Sequence, residues 1–292
     1  MNFERNIEKL YSMMDSCSIC PRKCGVNRNI GQKGLCKTAD KIFIASNNVH
    51  MGEEPPVTGA RGSGTIFFSN CTLNCVFCQN YPISQLGNGR EVSVEELSEI
   101  MINLQSRGVH NINFVTPTHY SAQIAKAVFF AKKKGLAIPV LYNASGYENV
   151  ETLKLLEGVI DIYLPDIKYS DNKTAFKYSG VNDYVEVNRE ALKEMLRQVG
   201  HLQTDEEGIA KRGLILRHMV LPENIENTKN ALKFISEELS KETHVSLMAQ
   251  YHTAYKSESF KELSRGLTEA EYEQALGFLE AFNLENGWTQ EL

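Results

Sequence analysis

Apolar and polar positions settle into a repeating rhythm after residue 60. Thr65-Ile66-Phe67-Phe68 is a short β-branched and aromatic run, which predicts a buried strand. Ser93-Val-Glu-Glu96 reads as a capping box, and Leu97, Ile100, Met101 and Leu104 follow at helical spacing up to Gly108. The alternation then continues. Strands are predicted at 111–116, 138–143, 159–168, 213–221 and 244–250. Between them lie helical patterns carried by Ile124, Val128 and Ala131, by Val150, Leu153 and Leu156, by Leu192, Met195, Leu196 and Val199, and by Ala231, Leu232 and Ile235. Gly135, Gly158 and Gly200 stand where the first three of these should end.

Six strands alternating with helices predict an α/β chain with a parallel sheet and right-handed crossovers. Curved into an arc, this is a partial (β/α)6 TIM-type barrel; a flat doubly wound sheet is the competing arrangement. Barrel chemistry sits at the C-terminal strand ends. Polar residues collect at those ends here: a cysteine loop at 71–78, Thr116 and Thr118, Asn143 and Ser145, Asp166 and Lys168, Arg217, and His252. The expected organisation is a Cys-rich, metal-binding N-terminal segment over 1–60, the barrel over 61–255, and a C-terminal helical extension over 256–292. That extension carries a second capping box at Thr268-x-x-Glu271.

Composition narrows the class. The chain has 292 residues, 42% hydrophobic and 23% charged, with a formal net charge of −5. No basic stripe stands out, which argues against a nucleic-acid partner. The N-terminus lacks the apolar core of a secretory signal, and no run of about eighteen apolar residues predicts a membrane span. A cytoplasmic setting is therefore expected. Its reducing conditions favour metal or redox roles over disulfides for the cysteines.

All seven cysteines lie in the first 78 residues. Cys17, Cys20, Cys24 and Cys36 give C-x₂-C-x₃-C-x₁₁-C, a full set of four thiolates. That set suits a structural zinc ion or an auxiliary iron–sulfur cluster, and the spacing does not separate the two. With few large apolar residues around it, the segment is expected to lean on a metal to fold. Cys71, Cys75 and Cys78 give C-x₃-C-x₂-C, one ligand short of the usual four. The shortage leaves a metal position open for another molecule, as catalytic zinc sites do.

Cys71-x₃-Cys75-x₂-Cys78, with Phe77 before the last cysteine, resembles the signature of the radical S-adenosylmethionine (SAM) superfamily. The stretch from Gly62-Ser-Gly64 to Cys78-Gln-Asn-Tyr-Pro82, with the four-cysteine N-terminus, resembles the branch related to pyruvate formate-lyase activating enzyme, among the glycyl-radical activating enzymes. The resemblance implies a [4Fe–4S] cluster on the three cysteines and SAM chelating the open iron. One-electron cleavage would then give a 5′-deoxyadenosyl radical for hydrogen abstraction. It also implies anaerobic oxidoreductase chemistry, an electron donor such as flavodoxin or ferredoxin, and a glycyl-radical enzyme as partner.

The same resemblance assigns SAM contacts. Asp166 and Lys168, two apart and so on one side of a strand, match an Asp-x-Lys of activating enzymes. Arg217 matches a fifth-strand arginine whose fork suits a carboxylate or ribose. His252, after Tyr251, matches a Tyr-His at the sixth strand end. Asn143 and Ser145 stand where relatives contact the cofactor, although Asn143-Ala-Ser-Gly146 also reads as an ordinary turn. The superfamily's Gly-Gly-Glu-type motif is absent after the second strand. Thr116-Pro-Thr118 stands there instead, offering backbone carbonyls and the Thr118 hydroxyl. No acid–base pair or nucleophile triad emerges, and no residue is assigned a catalytic role. Two alternatives stay open: a non-catalytic iron–sulfur or zinc electron-transfer protein, and a radical enzyme modifying a peptide, an RNA or a small molecule.

Overall fold

The computed structural model describes residues 3–292. Its strands are β1 (Ile42–His50), β2 (Ser63–Phe68), β3 (Arg90–Val92), β4 (Ile112–Val115), β5 (Val140–Ala144), β6 (Ile162–Pro165), β7 (Gln203–Thr204), β8 (Ala210–Met219), β9 (His244–Met248) and β10 (Gly287–Thr289). Its helices are α1 (Phe3–Ser12), α2 (Pro55–Thr58), α3 (Tyr81–Ser84), α4 (Val94–Ser106), α5 (Ser121–Lys133), α6 (Val150–Leu155), α7 (Asn172–Ser179), α8 (Tyr184–Val199), α9 (Ile225–Phe234) and α10 (Glu269–Ala281). Among the described residues no helix is long and apolar enough to cross a membrane.

The sheet runs β10-β9-β8-β6-β5-β4-β2-β1-β3, with β7 paired to β8 outside that path. Strands β2, β4, β5, β6, β8 and β9 are parallel neighbours in that order, as the alternation predicts, and β10 extends them. Strands β1 and β3 add antiparallel pairs at the opposite edge. The path has two free ends, so the sheet is an open arc, consistent with a partial barrel.

Register separates the two faces. Ile66, Phe114, Tyr142, Tyr163, Leu214, Leu216 and Val245 belong to the large core that also contains helix residues Leu97, Ile124 and Leu192. Each such side chain contributes about 1.5–3 kcal/mol by leaving water. The alternate residues face inward. Thr65, Asn113 and Leu141 share one row; Phe67, Val115, Asn143 and Leu164 share the next. Asp166, Arg217 and Ser246 share a third row, and Met219 pairs with Met248 above it. The strand residues of this inner face are uncharged low in the arc and charged high in it.

Several elements depart from the pattern read in the sequence. Residues 55–58, given no element in the sequence reading, form the short helix α2, which closes the arc from below. Val57 packs inside with Leu141, Ile162 and Ile215, and its carbonyl accepts from Asn111 Nδ2 at 2.8 Å. The N-terminal segment is better packed than its composition implies. Ile7, Leu10, Met14, Cys17 and Ile19 join the main core, and Phe3 stacks on Phe129 at 5.6 Å. The C-terminal segment ends in β10 as well as carrying α10. Capping at Thr268 is reciprocal with Glu271. At Ser93 only the Glu96 N–H bond to Ser93 Oγ is made, because the Glu96 carboxylate pairs with Arg90 at 2.5 Å.

Candidate active site

The loop after β2 is gripped by its neighbours at nearly every turn. Asn74 N–H and Val76 N–H donate to the carbonyls of Ser179 and Tyr178 at 3.2 and 2.8 Å. Gln85 Nε2 donates to Leu73 O at 3.1 Å, and Arg22 Nε to Thr72 O at 3.0 Å. Phe77 is buried edge-on against Tyr178 and Tyr251, with centroids 6.4 and 6.1 Å away. Cys71, Cys75 and Cys78 are free thiols. Burial dominates at Cys71 and Cys75: it pushes Cys75 up to about 11, against the pull of nearby Lys168, and Cys71 higher still.

Each of these sulfurs already has a hydrogen-bond partner suited to a thiolate. Leu73 N–H donates to Cys71 Sγ at 3.4 Å, Ser179 Oγ lies 2.9 Å from Cys75 Sγ, and Ser84 Oγ lies 3.0 Å from Cys78 Sγ. Among the described residues no three His, Cys, Asp or Glu side chains converge as on a single bound metal ion. Three unpaired thiols on one gripped loop, each with a donor in place, fit an iron–sulfur cluster, whose cationic iron would favour the thiolate form against the effect of burial.

Facing the loop across one cavity are the charged strand ends. The cavity is bounded by Cys75, Phe77 and Cys78 on one side and by Asp166, Lys168, Arg217, Met219 and Met248 on the other. Lys168 Nζ lies 2.5 Å from Asp166 Oδ2, and Arg217 Nε lies 3.0 Å from Asp166 Oδ1. Arg217 Nη2 donates to Asn143 Oδ1 at 2.6 Å, and Nη1 lies 3.8 Å from Glu53 Oε2. Burial alone would raise the Asp166 pKa; Lys168 and Arg217 outweigh it, so the carboxyl stays below its ordinary range. Tyr184 OH receives the Lys168 N–H at 3.0 Å and donates to Ser145 O at 2.8 Å, tying the ends of β5 and β6 together.

The remaining expected residues lie at varying distances from this cavity. Asn143 touches it through Arg217. Ser145 contributes its carbonyl to Tyr184. Thr116, at φ 59, donates its N–H to Asn143 O at 2.9 Å. The Thr118 hydroxyl donates to buried Glu148 at 2.6 Å. His252 is exposed and outside the cavity lining. Cys17, Cys20, Cys24 and Cys36 are free thiols that do not converge as on a single bound metal ion, although pairs of them lie within electrostatic reach. Cys20 feels both Cys17 and Cys36, Cys17 feels Cys24, and burial pushes Cys20 up to about 12. Glu53, Glu54 and Gln250 were not singled out in the sequence. Their contacts span long separations, and no local spacing marks them.

Comparison with known proteins points the same way. The description Radical SAM superfamily matches residues 65–235, more than half of the chain. The chain is 30% identical over 289 residues to the uncharacterized protein MJ0674 of Methanocaldococcus jannaschii, covering 96% of this chain and 78% of that protein. Against the uncharacterized protein MJ0808 of the same organism it is 24% identical over 272 residues, covering 85% and 74%. The structure of Streptococcus suis SuiB bound to S-adenosylmethionine superposes with a TM-score of 0.53 at 14% identity, covering 76% of this chain and 48% of SuiB. This chain thus spans about half the length of SuiB. Methylornithine synthase (PylB) gives a TM-score of 0.51 at 15% identity, covering 98% of this chain and 77% of that one. At such identities these structures speak for the fold. The open parallel arc, the C-x₃-C-x₂-C loop after its first parallel strand and the extent of these matches lead to one conclusion: the chain belongs to the radical SAM superfamily.

Proposed function

We propose that Cys71, Cys75 and Cys78 hold the [4Fe–4S] cluster that superfamily membership implies, and that Asp166, Lys168 and Arg217 receive SAM beside it. One observation carries this reading: the cysteine loop and the charged strand ends bound the same cavity. When bound, the cluster and SAM supply one-electron cleavage of a sulfur–carbon bond and an adenosyl radical for hydrogen abstraction.

The chain's own residues bind, orient and exclude. Lys168 makes one side-chain hydrogen bond, to Asp166, and its ammonium can give its other protons to a ligand carboxylate. Arg217 is already engaged by Asp166 and Asn143, so it orients Asp166 and adds positive charge rather than offering a free fork. Phe77, Met219, Leu221 and Met248 line the cavity with apolar surface, which keeps water from a reactive intermediate. Gln79, Asn80 and Gln250 give neutral amides to the same cavity. Such a lining suits a polypeptide backbone, and it supports a partner protein as substrate, with a glycyl radical as the product. Flavodoxin or ferredoxin is the proposed electron donor.

The electron-carrier alternative needs a fourth protein ligand, and a histidine near a strand end could supply it. His119 Nε2 is bonded to Ser69 O at 2.9 Å; His218 is bonded to Ile167 O and Thr228 Oγ1 at 2.6 and 2.9 Å. These bonds favour the enzyme. Cys17, Cys20, Cys24 and Cys36 are proposed as a second metal centre. Anaerobically reconstituted, reduced protein should convert SAM to 5′-deoxyadenosine. A sample with its cluster confirmed and no such product overturns the reading.

A further inference from the structure

The charged region beneath the cavity holds more acid than base. Glu53 and Glu54 enter the arc from below, on the chain between β1 and α2, and both side chains are almost fully buried. Glu53 Oε2 lies 3.8 Å from Arg217 Nη1 and 3.5 Å from Asn143 Nδ2. Glu54 acts on Arg217 through space, and its Oε2 is buried without any hydrogen-bond partner. With Asp166, three carboxylates face the two cations Lys168 and Arg217, an excess of one negative charge when all are ionised. His50, near Glu53, is the other titratable group in reach. The surplus is felt: burial pushes the Glu53 carboxyl up, Arg217 pulls it down, and Glu54 pushes it up again, leaving it above its ordinary range.

A buried carboxylate oxygen without a partner, in a region with surplus negative charge, calls for a cation from outside the chain. SAM carries an ammonium, a carboxylate and a sulfonium, so its net charge is one positive. Its demethylated analogue, S-adenosylhomocysteine, has the same groups without the sulfonium and is neutral overall. Resting on the SAM reading above, we infer that Glu53 and Glu54 are the counter-charge for the sulfonium, and that they select the cationic cofactor over the neutral thioether. Glu53 acts through Arg217 and through space, so it is a positioning and specificity residue rather than a catalytic one.

Equilibrium dialysis of both ligands against reconstituted protein tests this without measuring turnover. Glu53→Gln keeps the shape and removes the charge. It should narrow the preference for SAM over S-adenosylhomocysteine about tenfold, with the affinity for S-adenosylhomocysteine changing by less than about twofold. Glu53→Asp should keep the wild-type preference. Glu54→Gln should narrow it as Glu53→Gln does, and it serves if Glu53→Gln fails to fold. Equal weakening of both ligands, or an unchanged ratio in the folded variants, overturns the inference alone. Wild-type protein that binds neither ligand overturns the cofactor reading, and the inference with it.

Discussion

Glu148 shows how far burial can shift one group. It is 2% exposed, with Thr118 Oγ1 at 2.6 Å and Tyr142 OH at 3.1 Å. Burial pushes its carboxyl up to about 8, and the two hydrogen bonds draw it down only in part. The folded chain therefore keeps Glu148 protonated at neutral pH, whereas the unfolded chain loses that proton near 4.5. Folding is favoured most below that value and loses stability as pH rises toward about 8. Glu148→Gln should remove this loss. Its melting temperature should stay level across the window where the wild type's falls, a difference on the order of 2–4 kcal/mol at the upper end. At this scale the sequence was only partly legible. The C-x₃-C-x₂-C spacing is local and speaks for itself, as does the i, i+2 relation of Asp166 and Lys168. The partner of Thr118 lies 30 residues away, and the Arg217 contact with Glu53 crosses the arc, so neither has a local signature.

Between elements, the approach of β5 to β6 depends on one missing side chain. Gly146 has φ +73, and a Cβ there would lie 2.1 Å from Asp166 O and 2.2 Å from Asn188 Nδ2. Gly146→Ala must displace the backbone that carries Asp166. The expected cost is on the order of 3 kcal/mol in chemical denaturation, together with weakened SAM binding. The turn reading of Asn143-Ala-Ser-Gly146 and a role beside the charged residues are thus compatible, because the turn is what lets the two strand ends meet. Strands were legible because each is a short apolar run bounded by turn residues. Helices α1 and α7 were not. Helix α1 has four charged residues among its ten, and only Ile7 and Leu10 are buried. Helix α7 is capped by Asp171 but holds few apolar residues.

For the whole molecule, the alternation of strand and helix was enough to foresee the parallel arc, since each apolar strand needs a helix to cover it. The order of the edges was not, because β1 is half-exposed, β3 and β10 have three residues each, and the β1–β3 and β9–β10 pairs join residues more than 40 apart. The N-terminal segment is joined to the cysteine loop by more than sequence proximity. Arg22 donates to both Thr72 O and Gly180 O, at 3.0 and 2.6 Å, and Lys37 Nζ donates to Gln85 O at 3.1 Å. The metal centre proposed for it can be tested apart from the cluster proposed on the cysteine loop. In a Cys71/Cys75/Cys78→Ala triple variant, zinc retained without iron identifies a structural site, and iron retained identifies an auxiliary cluster. Loss of both metals from a folded variant overturns the second centre. The helix that seals the arc from below bears on traffic through it. Val57, fully buried among Leu141, Ile162 and Ile215, plugs that end of the arc. The charged groups lie deep and the neutral amides nearer the mouth, so a ligand bound at depth must arrive before the one that covers it and depart after it. With SAM and substrate bound as proposed, the expected outcome is ordered addition, cofactor first, which initial-rate kinetics with product inhibition would check.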